Sequence, residues 1–213
     1  MPASQYRTPL LVPVDSTFEE YKKSLSKPAK KNLKTSYKRC SDYQWILVPY
    51  DSELTLQFMQ LWESQLVFGK HPRWIFGVDH FDRLAKSGAL VTALVVKGET
   101  AHGMHLIEVY GDYAYSQPPM YGKSDDIGTF MWFRMIEALC ESDIKWFDLG
   151  GAFHGTWVDL LKDRSDPILK YKWRYVPQAV KDNPDSQEPW ERLDCSCGAK
   201  QIVLHRRGCK WCG

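Results

Sequence analysis

Phe18, Tyr21, Leu25, Ala29, Leu33 and Tyr37 recur every three or four residues with charge between them, which predicts helix over residues 18–39. Ser26 followed by Pro28 supplies a fresh N-cap and a break, so the stretch divides into two short helices. The run YQWILVPY (43–50) has strand composition. Helical spacing returns over 53–68 through Leu54, Phe58, Met59, Leu61, Trp62 and Leu66, and again over 78–86. Three strand-like runs follow, ALVTALVVKG, AHGMHLIEVYG and DYAYSQPPMYG, joined by Gly-Glu-Thr and Gly-Asp turn signals, and they predict an antiparallel meander. A helix is expected from Gly128 to about Glu141, then strands at KWFDLGG (145–151) and ILKYKWRYVP (168–177). Residues 179–194 are polar and rich in proline and acid, and read as a linker. The order of elements is that of a mixed α/β (α+β) domain over 1–178 with a central sheet.

With 213 residues, 44% of them apolar, the chain can build one substantial core plus a small appendage. No run approaches the roughly twenty apolar residues of a membrane span, and the N-terminus lacks a leader pattern, so a cytoplasmic protein with no membrane partner is expected. Charge changes the picture more. The net value is only +2, yet residues 22–39 carry Lys22, Lys23, Lys27, Lys30, Lys31, Lys34, Lys38 and Arg39 with no acid among them. Such a segment reads either as a surface that tracks the phosphates of tRNA or DNA, with Lys30, Lys31 and Lys34 central to it, or as a solvated helix face. Interspersed acids would have stabilised a merely solvated helix by pairing.

Four of the six cysteines lie in residues 195–213. Cys195-x-Cys197, eleven residues, then Cys209-x-x-Cys212 offers four thiolates from two short turns, the ligand set of a tetrahedral structural Zn site in a small ribbon or knuckle. Arg206 and Arg207, with Lys210 and Trp211, make that module basic and aromatic. It suits either contact with nucleic acid or simple packing against the main domain.

FEEYKKSLSKPAKKNLKTSYKR, KGETAHGMHLIEVYGDYAYSQPPMYG, DIGTFMWFRMIEALCESDIKWFDLGG and LKYKWRYVP, in that order, resemble the GNAT acyltransferase superfamily, and within it the FemAB-like or CelD-like branch related to Fem-type peptidyltransferases. The resemblance covers about residues 16–178 and excludes the cysteine module. It implies a mostly antiparallel central sheet flanked by helices, and transfer of an acyl group from an activated carrier to an amine. The carrier is acetyl-CoA in many members and aminoacyl-tRNA in the Fem-type ones. A non-catalytic nucleic-acid-binding protein on the same scaffold is the reading from another class.

The same resemblance points to the turn before the long helix as the carrier's phosphate site, here Gly122, Lys123, Ser124, Gly128 and Thr129. Asp125 and Asp126 beside it disfavour a pyrophosphate, and also suit a helix cap. Asp148, before the Gly150-Gly151 pair, is the candidate for orienting or deprotonating the amine, or for closing a turn. Tyr115, Tyr121, Tyr171 and His154 are further candidate proton donors, and Lys172 and Trp173 candidate substrate contacts. His102 and His105 fall on opposite faces of one strand and are not expected to share a metal.

Overall fold

A computed structural model of the chain describes residues 10–65, 77–122, 125–150, 172–182, 190–194 and 200–204. Helix α1 (Phe18–Ser24) opens on a capping box, in which the Thr17 hydroxyl accepts from Glu20 N and the Glu20 carboxylate accepts from Thr17 N. Helix α2 (Lys27–Arg39) starts separately, as Ser26 and Pro28 predict, although the Ser26 side chain makes no capping bond. Helices α3 (Ser52–Gln65) and α4 (Val78–Lys86) follow strand β2 (Gln44–Val48). The centre of the chain forms β3 (Leu90–Lys97), β4 (Thr100–Tyr110), β5 (Tyr113–Ser116), β6 (Met120–Tyr121), α5 (Asp125–Cys140) and β7 (Trp146–Asp148).

These strands make one seven-stranded sheet, with β1 (Leu11–Pro13) at one edge and β2 at the other, in the order β1-β7-β5-β4-β3-β2; β6 pairs with β4. The β5–β7 pair is parallel; the other pairings are antiparallel. Alternation along β4 sends Ile107 into a core with Trp132, Phe133 and Ile136 of α5 and with Tyr21 and Leu25 beside α1. Met104 and Leu106 face the other way, against Phe58 and Trp62 of α3 and Phe81 of α4. Truncating a ring such as Trp132 in a core closed this tightly costs about 3–5 kcal/mol.

Several expectations are corrected. Pro118 and Pro119 have no N–H to give, so DYAYSQPPMYG forms two strands, β5 and β6, rather than one. The described part of 168–177 is a 3-10 turn (Trp173–Tyr175), not a strand, because Tyr175 and Val176 bury themselves in the α5 side of the core. The expected linker begins with helix α6 (Gln178–Asp182), whose Val180 joins the same core, and ends in β8 (Trp190–Asp194). Strand β8 pairs antiparallel with β9 (Lys200–Leu204) as a separate hairpin. No helix among the described residues is long and apolar enough to cross a membrane.

Candidate functional site

Strands β5 and β7 run side by side from Tyr113↔Trp146 to Tyr115↔Asp148 and then part. Beyond that point Gln117 N donates to Leu106 O at 3.0 Å, so the chain after β5 follows β4. Leu149 N donates to Leu10 O at 2.8 Å, so the chain after β7 follows β1. The sheet therefore opens into a split between Gln117 and Leu149. Gly150 completes the turn at its rim with φ +73°, a left-handed conformation that glycine adopts without a Cβ clash. The Lys172 ammonium donates to Gly150 O at 2.6 Å, which puts a cation at the mouth.

Directly below the split, register brings Glu108 of β4, Tyr115 of β5 and Asp148 of β7 into one row across three strands. All three are buried, at 2%, 6% and 3% exposure. Each carboxylate has a tyrosine donor: Tyr110 OH to Glu108 and Tyr113 OH to Asp148 at 2.6 Å. Burial first, and the bond to Glu108 second, hold the Tyr110 hydroxyl well above its ordinary pKa. Gln117 also donates to Glu108, and His80 Nε2 of α4 lies 3.3 Å from Glu108 Oε1. The His80 side chain is 22% exposed, so it joins a buried carboxylate to the surface.

The other face of the split carries His105, whose Nε2 lies 2.7 Å from Ser116 Oγ and whose ring stands edge-on to Trp132. Burial pushes its pKa down to about 3, leaving the imidazole neutral. Its Nδ1 is buried without a hydrogen-bond partner.

Among the expected site residues, Asp148 and Tyr115 come together in this row. Asp148 Oδ1 accepts from Leu10 N at 3.2 Å and Gly150 N at 2.8 Å, so with Tyr113 its carboxylate holds three donors and fixes the rim. Tyr121 stands apart, its ring against Trp62 and over Gly128, where a Cβ would lie 2.4 Å from Tyr121 Cζ. The missing side chain of Gly128 thus makes room for Tyr121. Thr129 is buried, Gly122 is open, and Asp126 forms a two-point pair with Arg39 at 3.1 and 3.2 Å. Lys30, Lys31 and Lys34 are exposed on α2, away from the row. Trp173 begins the 3-10 turn. Lys123, Ser124, His154, Tyr171, Arg206, Arg207 and the four module cysteines lie outside the described residues. Among the described residues no cluster of metal-ligating side chains occurs. Burial pushes the thiols of Cys40 and Cys140 up to about 11 and about 12, so neither is a ready nucleophile.

Glu108, Gln117, His80, Tyr110 and Tyr113 were not singled out in the sequence. Glu108 had a signal: an acid flanked by Leu106, Ile107 and Val109 in a strand run has to be buried with partners.

Residues 31–157 match the family model described as an acetyltransferase (GNAT) domain, and the chain belongs to that family. Among solved structures it is similar to FemX (13% identity, TM-score 0.60, 81% of this chain and 58% of that one). It is also similar to L-PGS from Bacillus licheniformis (16%, 0.56, 81% and 57%). A third neighbour is the C-terminal domain of a putative lysylphosphatidylglycerol synthetase from Agrobacterium fabrum (14%, 0.51, 84% and 56%). At these identities the likeness is one of fold, and the chain spans less than three fifths of each neighbour's length. No curated protein sequence matches it significantly.

Proposed function

We propose that this protein is an acyltransferase that moves an aminoacyl group from aminoacyl-tRNA to an amine acceptor. The observation that carries this reading is the Glu108–Tyr115–Asp148 row where β5 and β7 part. An amine attacks the acyl carbonyl carbon only after losing a proton, and Glu108, in contact with the partly exposed His80, is the group that takes it and passes it outward. Tyr115 lies between the two carboxylates and donates toward the reacting oxygens, and Lys172 sets positive charge at the mouth where the oxyanion forms. Asp148 keeps the rim in place.

The choice of carrier rests on the phosphate turn. Asp126 tied to Arg39 and Tyr121 packed over Gly128 leave the start of α5 poorly suited to a free pyrophosphate. The Fem-type resemblance points the same way. Acetyl-CoA with a small molecule or protein acceptor is the second reading, favoured by the family match itself. Mixing the protein with aminoacylated tRNA or acetyl-CoA and a panel of amines, and reading amide products by mass spectrometry, tests the choice. Aminoacyl products are expected; acetyl products alone would reverse it, and no product with either carrier would favour a binding protein that has lost its chemistry.

Residues 195–213 are proposed to hold structural Zn through Cys195, Cys197, Cys209 and Cys212. In support, residues 195–199 join β8 to β9 and carry the first two cysteines on that connection.

A further inference from the structure

Lys27, Lys31, Lys34 and Lys38 succeed one another at intervals of four, three and four along α2. At 3.6 residues per turn they form a single stripe about 16 Å long. The stripe lies opposite the side on which α2 buries Ala29 and Ser36. All four side chains are exposed, and among the described residues none of them enters an ion pair. Among the described residues Arg83 and Lys86 of α4 are also exposed without an ion pair, while five other bases are paired. Lys22 pairs with Glu19, Arg39 with Asp126, Lys97 with Asp42, Arg134 with Glu137 and Lys145 with Asp112. The stripe keeps its charges for something outside the chain.

The stripe faces away from the Glu108–Tyr115–Asp148 row, but its helix touches the turn that follows Lys172. Helix α2 packs on the 3-10 turn Trp173–Tyr175, whose Tyr175 O accepts from Tyr21 OH at 2.8 Å. Lys172, just before that turn, reaches Gly150 O at the mouth of the split. The exposed positions of α2 are Lys27, Pro28, Lys30, Lys31, Lys34, Lys38 and Arg39, with no Leu, Phe or Trp to enter a lipid surface. One strand of nucleic acid presents a phosphate about every 3.4 Å of rise, so the stripe spans about five of them.

We infer that the α2 lysine stripe is the docking track for the phosphodiester backbone of the RNA acyl carrier. This deepens the aminoacyl-tRNA reading and rests on it for the identity of the RNA. The track binds phosphate without reading bases; specificity for the acyl group belongs to the split.

The test is the binding of uncharged tRNA to the full chain over a range of salt, for wild type and for the K27Q/K31Q/K34Q/K38Q variant. Each lost phosphate contact reduces the log–log salt slope by about 0.7–0.9, so the variant's slope should fall by about three and its affinity at least tenfold at 0.1 M salt. The matching K27R/K31R/K34R/K38R variant should keep both, which separates charge from folding. An unchanged slope in the Gln variant overturns the inference. So does lysine-dependent binding to anionic lipid vesicles with none to tRNA. Transfer assays keep the two ideas apart. If wild type and the Gln variant transfer from aminoacyl-tRNA with the same KM, the track is wrong and the acyl reading stands. If the slope falls as expected but no aminoacyl transfer occurs with wild type, the track stands and the acyl reading is wrong.

Discussion

The hydroxyl of Tyr113 donates to Asp148 Oδ2 at 2.6 Å across the parallel β5–β7 pair. With Leu10 N and Gly150 N on Oδ1, one buried carboxylate ties together the segment before β1, strand β5 and the turn after β7. Tyr113→Phe should therefore cost about 1.5–3 kcal/mol, the worth of one hydrogen bond to a charged acceptor. Asp148→Ala leaves all three donors without that acceptor and should cost about 3–5 kcal/mol. Urea midpoints, with m unchanged, measure both. A fully stable Asp148→Ala that has lost only turnover would make Asp148 the base and displace Glu108 from that role.

Glu108 is expected to behave differently. Glu108→Gln keeps an acceptor for Tyr110 but cannot take a proton, so kcat should fall by about 10²–10⁴ with KM little changed. His80→Asn, which interrupts the route from Glu108 to the surface, should lower kcat less and shift the pH at which activity rises. Steady-state rates across pH, alongside thermal melts, separate chemistry from folding. Normal turnover by Glu108→Gln would remove the carboxylate from the mechanism.

The contrast between these two acids shows what was legible beforehand. Asp148 could be found because it closes a short apolar strand before two glycines, a local signal. Its role could not be read that way, since one of its donors, Leu10 N, lies 138 residues away and reaches it only through the β1–β7 pairing. Glu108 and Tyr115 meet through the β4–β5 register, which local pattern constrains weakly. Helices α1 to α5 were legible because their apolar spacing agrees with the packing, joined at α1 by a capping box. Strand β1, three residues ending in proline, is too short for any period. At 172–177 a strand-like composition yields to the burial of Tyr175, a tertiary effect.

His105 gives stability a pH dependence of known sign. Its native pKa, about 3, lies below the ordinary histidine value, so below about pH 6.5 the unfolded chain binds a proton that the native one refuses. Stability from this group is complete above about pH 6.5 and falls by about 1.4 kcal/mol per unit as pH drops toward 3. NMR of the His105 ring should show a neutral imidazole unchanged from pH 8 to pH 5. His105→Gln should flatten the acid limb of the stability curve. Titration of that ring near pH 6 would contradict the burial argument.

Gly128 tests whether the start of α5 is packed or open. Alanine would gain about 1 kcal/mol in helix propensity, but its Cβ would meet Tyr121 at 2.4 Å while Trp62 limits the ring's retreat. Gly128→Ala should therefore destabilise by about 1–3 kcal/mol. In the Tyr121→Ala background the same change should become neutral or stabilising. A double-mutant cycle on melting free energies reads the coupling, and additivity of the two changes would mean that Tyr121 does not occupy that space.

The last nineteen residues can be judged without any assay of transfer. If the proposed Zn site forms, two five-residue strands have few residues from which to build a core of their own, and the metal supplies most of the hairpin's free energy. Elemental analysis should find one Zn per chain, and Cys209→Ser, which leaves three thiolates, should lower the content well below one. Chelation should abolish the hairpin's amide protection while the melting of residues 10–182 stays unchanged, because metal and main core are separate contributions. If chelation instead lowers the melting of the main domain, the module is part of that domain's support. If no metal is found at all, the four cysteines need another account.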